Sequence, residues 1–393
     1  MVKQIIKKTA DNIGFFLLTA CLSLPGSIMA PTTSSAKSVT FTMGGKFYVI
    51  PADSTSEPVP PPTPTGCTDE TPTINYPTPI VRVPQNYKTI QEAIQNVPKG
   101  GTVLVADGTY IANLTVIGGS TKTVNIYSEN GPGSTIIQGT GTGAVVTFSN
   151  YSKSVISGFT ITNGNNNIGN GGGIIIGTGA MPTIKNCIIT GNKAWFGGGG
   201  IHLVPTSAPI IENCIIGNNE TTGYTTESNG AAIHVAAGAT ATIRNCTITD
   251  NRSSYLGGAI AVYAGTIKVI NSTFSNNSAV NYGGAIALNT PQAGTLVTNS
   301  IFWGNTDLNG TNQISLSDQT TLPGVTYSDI QGGYPGTGNI NLDPKFIGGG
   351  NYHLQTISPA IDKGTSQNAP LIDIDGNCRP KGYGHDMGSD EAR

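Results

Sequence analysis

Two histidines, His202 and His234, occupy equivalent places in successive copies of a Gly-rich motif. Aromatic residues lead into the same motif, nearly one per copy: Trp195, Phe196, Tyr224, Tyr255 and Tyr282. Imidazole can donate, accept or carry a proton. Tyrosine and tryptophan offer a flat apolar face with a polar tip, which suits stacking on a sugar ring. The chemistry these types support together is recognition of a glycan, with Trp195, His202, Tyr224, His234, Tyr255 and Tyr282 as the candidate ligand contacts. The competing structural roles are the covering of loop ends by the rings and plain packing of the two histidines.

Catalytic sets are poorly supplied. Elimination from a uronide needs a Lys or Arg base beside carboxylates that hold Ca²⁺, and glycoside hydrolysis needs two carboxylates at a defined separation. The outward row of the motif strand reads Ile175, His202, His234, Ala261 and Ala287, without carboxylate, Lys or Arg. Glu220, Glu227 and Asp250 fall in nearby loops, but no two share a register. Asn305-Thr306-Asp307 stands without partners, and Gly384-His385-Asp386 lies beyond the repeats. No catalytic residue and no metal ligand set is therefore assigned. Asp373-Ile374-Asp375-Gly376-Asn377 opens like a calcium loop but lacks the closing bidentate Glu. Pairing of these carboxylates with Arg379 is the expected role. Asp386, Asp390 and Glu391 leave Ca²⁺ open as a cofactor in a site built differently; no other cofactor is expected.

The elements that position these residues repeat. From about residue 124 the unit reads apolar, any, Asn, Cys or Ser, any, apolar, two spacers, Asn, then six residues and Gly-Gly-Ala-Ile. Ile184-Lys185-Asn186-Cys187-Ile188-Ile189 with Asn192 is one copy, and Ile243-Arg244-Asn245-Cys246-Thr247-Ile248 with Asn251 another. One column runs Phe159, Cys187, Cys214, Cys246, Ser272, Ser300, Ser328, at spacings of 28, 27, 32, 26, 28 and 28. The 32 carries an insertion around Thr221 to Asn229. No unit has enough apolar surface to fold alone, so the units must stack. Stacking of short strands about 4.8 Å apart pairs each backbone with the coils above and below. By the period-two rule Ile184, Cys187 and Ile189 point inward and Lys185 and Ile188 outward. Asn186, Asn213, Asn245, Asn271 and Asn299 fall at a bend where asparagine tolerates a left-handed backbone. Asn192, Asn219, Asn251, Asn277 and Asn305 form a second column suited to an amide ladder. The three cysteines read as small buried space-fillers.

The predicted fold is all-β: a right-handed parallel β-helix of about nine coils, from a repeat of roughly 27 residues, spanning residues 81–345. Ile90, Ala93, Ile94 and Val97 sit at helical spacing and predict an N-terminal cap helix. Residues 346–393 form a C-terminal extension expected to pack along the last coils.

Composition and the first eighty residues bear on location. Charged residues are 11% of the chain, Gly numbers 53, and the net charge is −2. With no Lys/Arg cluster beyond residue 10, the basic footprint needed for nucleic acid is missing. Lys3, Lys7 and Lys8, an apolar run from Ile13 to Leu24, and Ala30 read as an export signal over residues 1–30. The run is too short to span a membrane. Leu18-Thr19-Ala20-Cys21 resembles a lipobox and makes lipidation at Cys21 the alternative to cleavage near Ala30. Residues 31–80 read as a surface tether, with a hairpin about Gly44-Gly45 and a stiff linker from Pro58 to Pro64. Cys67, Cys187, Cys214, Cys246 and Cys378 contain no CxxC pair.

Two resemblances follow from these motifs. Gly-Gly-Ala-Ile at 257–260 and 283–286, with Phe274-Ser-Asn-Asn277 and Phe302-Trp-Gly-Asn305, is similar to the GGAI and FxxN repeats of chlamydial polymorphic outer-membrane proteins, which are β-helical surface adhesins. That covers the repeat grammar of residues 155–310. No counterpart of the chlamydial membrane barrel is read here, so autotransport is not implied. Leu342-Asp343-Pro344-Lys345-Phe346, Tyr352-His353-Leu354, Ser358-Pro359-Ala360-Ile361-Asp362, Asp373-Ile374-Asp375-Gly376-Asn377 and Asp386-Met387-Gly388 resemble the C-terminal part of secreted choice-of-anchor Q proteins. No apolar tail follows, so the means of retention stays open. The pectin-lyase-like fold also hosts pectate lyases, pectin esterases and polygalacturonases. The expected function is contact with polysaccharide or cell-surface glycan by a secreted or outer-membrane-associated protein without catalysis. A polysaccharide lyase or glycoside hydrolase and a purely structural matrix protein are the alternatives.

Overall fold

The computed structural model describes residues 38–43, 46–51, 67, 75–118, 122–317 and 323–392. The export signal with Cys21 and Ala30, and the Pro58–Pro64 linker, lie outside the described residues. The chain divides into two compact units, Met1–Val59 and Pro60–Arg393. In the first, strands Ser38–Met43 and Lys46–Pro51 pair antiparallel with Phe41 opposite Tyr48.

The second unit is a right-handed parallel β-helix. Three parallel sheets of ten, nine and eight strands run its length. Each coil contributes one strand to each, as in Thr183–Lys185, Ile188–Thr190 and Ile201–Leu203. The third sheet's eight strands mark eight closed coils rather than about nine. Ile80–Val83 and Gly324–Thr326 lengthen the first sheet at its ends without completing a turn. Five coils also carry a two-residue strand between the second and third sheets, such as Lys193–Ala194 and Glu220–Thr221. These strands were not foreseen, because two residues are too few to show a period.

Equivalent side chains fall on one another. Ile184 pairs in register with Ile156 and Ile211, and Ile189 with Ile161 and Ile216. These residues are fully buried, in one core cluster that also holds Cys187, Cys214 and Cys246. The three cysteines are free thiols, and burial pushes Cys187 and Cys214 well up. They are space-fillers, since reactivity belongs to the thiolate.

Both asparagine columns adopt their expected conformations. Asn186, Asn213, Asn245, Asn271 and Asn299 have φ of 52°, 51°, 56°, 43° and 50°. In the second column each amide oxygen from Asn219 onward accepts both the backbone and the side-chain N–H of the asparagine one coil earlier, and Asn192 Oδ1 takes Gly164 N–H at 2.9 Å. Asn219 donates to Asn251 Oδ1 at 3.0 Å from both nitrogens, and Asn251 to Asn277 Oδ1 at 3.1 and 2.9 Å. The run extends from Asn192 to Asn305 and ends on Gln313 Oε1 at 2.6 Å.

A helix α1, Ile90–Asn96, precedes the first closed coil. Thr89 and Glu92 form a capping box, with reciprocal bonds of 3.1 and 3.2 Å. Ile90, Ala93 and Ile94 are buried in the same core cluster as Val103 and Leu114.

After the last coil a bulged hairpin, Phe346–Gly348 with Asn351–Leu354, leads into irregular chain. This segment lies along the bend columns and the outer side of the second sheet. Asn245, Asn271 and Asn299 donate to the carbonyls of Ile372, Asp386 and Thr365 at 3.0, 3.0 and 2.7 Å. Ser389 bonds Thr247 at 2.8 Å and Thr273 at 3.0 Å. Met387, Leu354 and Ala360 pack on Ile301. Cys378 is joined to Cys67 by a disulfide.

Candidate functional site

The third sheet presents the histidine row, and the Gly-rich motif explains how the chain reaches it. Gly171, Gly198, Gly230, Gly257 and Gly283 have φ of 74°, 73°, 62°, 63° and 73°, a left-handed turn that L side chains resist. At the next position coils approach closely: a Cβ on Gly258 would lie 2.2 Å from the carbonyl oxygen of Gly284. The chain then enters a strand whose first and third residues are buried, as with Ile201 and Leu203, so the middle residue faces outward.

The outward row reads Thr115, Thr147, Ile175, His202, His234, Ala261, Ala287 and Ser315 in consecutive register. His202 and His234 are stacked with ring centroids 5.0 Å apart and planes within 5°. Their Nδ1 atoms are 3.0 Å apart. Such a bond needs one proton, so the rings hold opposite tautomers; one Nε2 is a donor and the other an acceptor. Burial holds His202 down at about 3, with repulsion from His234 adding to it, and holds His234 down at about 4. Both rings are neutral at ordinary pH. A neighbouring carboxylate would raise them, and none of the causes of either shift is a carboxylate.

The pair is less open than the row position suggests. His202 is buried, and His234 is half-buried with Tyr263 beside it at 6.3 Å between centroids. The turn into the strand passes close over the rings: a Cβ on Gly197 would stand 2.6 Å from His234 Cγ. His234 is thus the member that meets the surface, and His202 fixes its orientation from beneath. Neither the bond between the rings nor the part of Tyr263 was read from sequence. Tyr263 ends a four-residue strand one coil beyond the His234 strand.

The aromatic residues share one side of the helix but not one register. Trp195, Tyr224 and Tyr282 are 38%, 89% and 50% exposed, and Tyr255 is partly exposed. Trp195 bonds through its carbonyl to Gly223 N–H at 2.8 Å and Ser228 Oγ at 3.1 Å, so the 221–229 insertion is anchored beside it. Tyr224 projects from that insertion. Tyr282 lies one coil from Leu256, since Gly257 N–H bonds its carbonyl at 3.0 Å, and Tyr255 lies one coil from Asn281.

Glu220, Asp250 and Asp307 are committed to other partners. Glu220 pairs with Lys193 at 3.0 Å. Asp250 accepts from Thr249 at 2.6 Å and from Tyr352 of the extension at 3.3 Å. Asp307 holds Gly283 N–H and Asn312 at 2.9 and 2.8 Å. In the extension, Asp373 accepts four N–H donors, from Asp375, Asn377 twice and Glu391. Arg379 is fully buried and pairs with Glu391 at 2.8 Å. Asp386 accepts from Asp362 N–H and Ala392 N–H, and burial raises it to about 7.

Among the described residues no helix is long and apolar enough to cross a membrane. Comparison with known structures gave alginate lyase from Paenibacillus sp. str. FPU-7, at 14% identity and a TM-score of 0.32, covering 58% of this chain and 96% of that one. Escherichia coli YbhC is 10% identical, with a TM-score of 0.35, covering 63% of this chain and 86% of its own. Pectate lyase Pel9A is 14% identical, with a TM-score of 0.41, covering 77% and 91%. At these scores the likenesses support no conclusion about function. No match was found among curated proteins. The family described as "Right handed beta helix region" matches residues 100–302, more than half of the 393 residues. The chain belongs to that right-handed β-helix family.

Proposed function

We propose that this protein is an extracellular or cell-surface β-helix that contacts polysaccharide or surface glycan along the third sheet, without catalysing its breakdown. The observation that carries the reading is the character of that face. Three exposed rings, Trp195, Tyr224 and Tyr282, flank a strand row that offers imidazoles, small residues and hydroxyls but no carboxylate or cation. Flat rings supply stacking area for a sugar. The neutral His234, locked by His202, supplies one hydrogen bond of fixed direction, and Tyr255 adds a partly exposed edge. A general base works best when its pKa lies near the operating pH, and burial drives both histidines well below it.

Export through the N-terminal signal, with release near Ala30 or lipidation at Cys21, would bring this face to its ligand. The likeness of the repeat grammar to chlamydial adhesins supports a surface role, and the choice-of-anchor Q likeness of residues 342–388 supports secretion. Affinity electrophoresis on acidic and neutral polysaccharides tests the reading with Trp195, Tyr224, Tyr255 and Tyr282 all changed to Ala. Retardation of the parent chain with at least a tenfold weakening in the variant is expected, on the order of four stacking contacts; equal retardation of both removes it. Unsaturated uronides or new reducing ends released from the same panel would favour a lyase or hydrolase instead. Failure to bind any glycan while the chain stays with the cells would favour a structural rod.

A further inference from the structure

Away from the third sheet, three side chains from separate parts of the C-terminal extension converge. His353 comes from the hairpin strand Asn351–Leu354, Asp375 from the turn after Asp373, and Asp390 from the last few residues. One ring nitrogen and one oxygen of each carboxylate all lie within 4.8 Å of one another. His353 Nε2 is 2.6 Å from Asp375 Oδ2.

The surroundings set each of the three. Asn351 Oδ1 accepts the backbone N–H of His353 at 3.0 Å, which fixes which end of that amide faces the ring. The same oxygen faces His353 Nδ1. An amide oxygen only accepts, so Nδ1 carries a proton, while Nε2 and Asp375 Oδ2 share a second one at 2.6 Å, the proton a metal ion would displace. A ring tied through one nitrogen to an acceptor, with the other aimed at anionic oxygens, is how a metal-ligating histidine is held. Asp375 is placed by its own N–H, which donates to Asp373 at 2.9 Å. Asp390 is only 6% exposed, and its Oδ2 accepts Leu354 N–H at 2.8 Å. Burial raises its carboxyl, with Asp373 and Asp375 adding to the rise and His353 opposing it. The buried cation nearby, Arg379, is bound to Glu391 and is shared among Asp373, Asp386 and Asp390.

We propose that His353, Asp375 and Asp390 bind one divalent transition-metal ion, with Zn²⁺ as the fitting case, which pins the hairpin, the turn and the final segment together. One imidazole and two carboxylates form a nitrogen–oxygen set suited to Zn²⁺ or its neighbours, whereas Ca²⁺ takes six to eight oxygens. Tetrahedral ligands at about 2.1 Å from zinc stand about 3.4 Å apart. The His353–Asp375 pair need open by less than about 1 Å, and both side chains are on the exposed side of the cluster. The competing state is a protonated His353 paired with Asp375 and no metal.

Titration calorimetry of the chelator-stripped full chain with ZnCl₂, and separately with CaCl₂, decides between them, alongside His353→Ala and Asp375→Asn. Both variants leave the buried Asp390 and its bond to Leu354 in place, and their melting in excess chelator checks that they fold. The expected result is one saturable Zn²⁺ lost about tenfold or more in each variant, with a melting point raised by Zn²⁺ in the parent chain alone. No saturable Zn²⁺ binding, binding unchanged in both variants, or tighter binding of Ca²⁺ than of Zn²⁺ would each overturn the proposal. The His202–His234 pair is intact in both variants, so zinc held there would survive the substitutions.

Discussion

Asn251 makes the physics of the interior concrete. Its carboxamide donates to Asn277 Oδ1, Ile216 O and Thr249 O, and its oxygen takes two N–H groups from Asn219. Every polar atom of this fully buried side chain is used, which is why a column of amides can lie inside an apolar tube. Asn251→Ala strands the Asn219 donors, and a loss of about 2–4 kcal/mol is expected, against a smaller loss for Asn192→Ala at the start of the run; denaturant midpoints compare them. The histidines add a pH dependence. An unfolded imidazole takes up its proton near pH 6.5, while His234 in the fold resists protonation down to about 4. Between these values the unfolded chain binds more protons, so this contribution is whole above pH 6.5 and drains as the pH falls toward 4. His234→Gln should remove about 2–3 kcal/mol of the stability lost across that window, read from unfolding midpoints at pH 7 and 4.5. An unchanged slope would mean that the ring is solvated.

At the scale of elements, the end of the helix and its extension are joined through buried acid. Asp329 ends the second sheet, is fully buried, and has one oxygen on Leu342 N–H at 3.1 Å and the other without a partner. Burial raises its carboxyl to about 7, and nearby Asp343 adds to the rise. The folded chain therefore keeps a proton that the unfolded chain gives up near pH 4. Stability from this group is complete below about pH 4 and is lost as the pH climbs through 7, opposite in sign to the histidines. Between pH 5 and 8 the native chain should lose about 2–3 kcal/mol more than Asp329→Asn, measured by urea unfolding at both values; parallel losses would place the carboxylate in water. The stacking of strands was legible in the sequence because each rung repeats its neighbour. The Cys187, Cys214 and Cys246 column and the left-handed Asn186, Asn213 and Asn245 could be placed before any coordinates. The extension was less legible. Its bonds, such as Asn245 to Ile372 and Thr249 to Tyr352, join residues more than a hundred positions apart with no period to announce them. The Cys67–Cys378 disulfide was unreadable for the same reason, since the five cysteines beyond residue 30 gave no pairing rule.

For the molecule as a whole, regular stacking turns single residues into a surface. One outward position per coil becomes a row eight residues long, and one loop per coil becomes a rim of rings beside it. Ile175, His202, His234, Ala261 and Ala287 could be written down from the motif, but not Thr115, Thr147 and Ser315 at the ends of the row, nor its depth. His202 lies beneath the turn at Gly171 and His234 beneath the turn at Gly197, and the motif shows the turns without showing what they cover. The rings follow at nearly one per coil, and the 221–229 insertion interrupts that order, bonded to Trp195 on one side and to Ser254 and Leu256 on the other. The central claim is that a glycan lies along this face. Hydrogen–deuterium exchange with and without a polysaccharide that retards the chain measures it directly. Added protection should fall on Trp195–Leu203, Thr222–Val235 and Tyr255–Tyr263, together on one side of the third sheet. Protection confined to the extension or to the first sheet would contradict it.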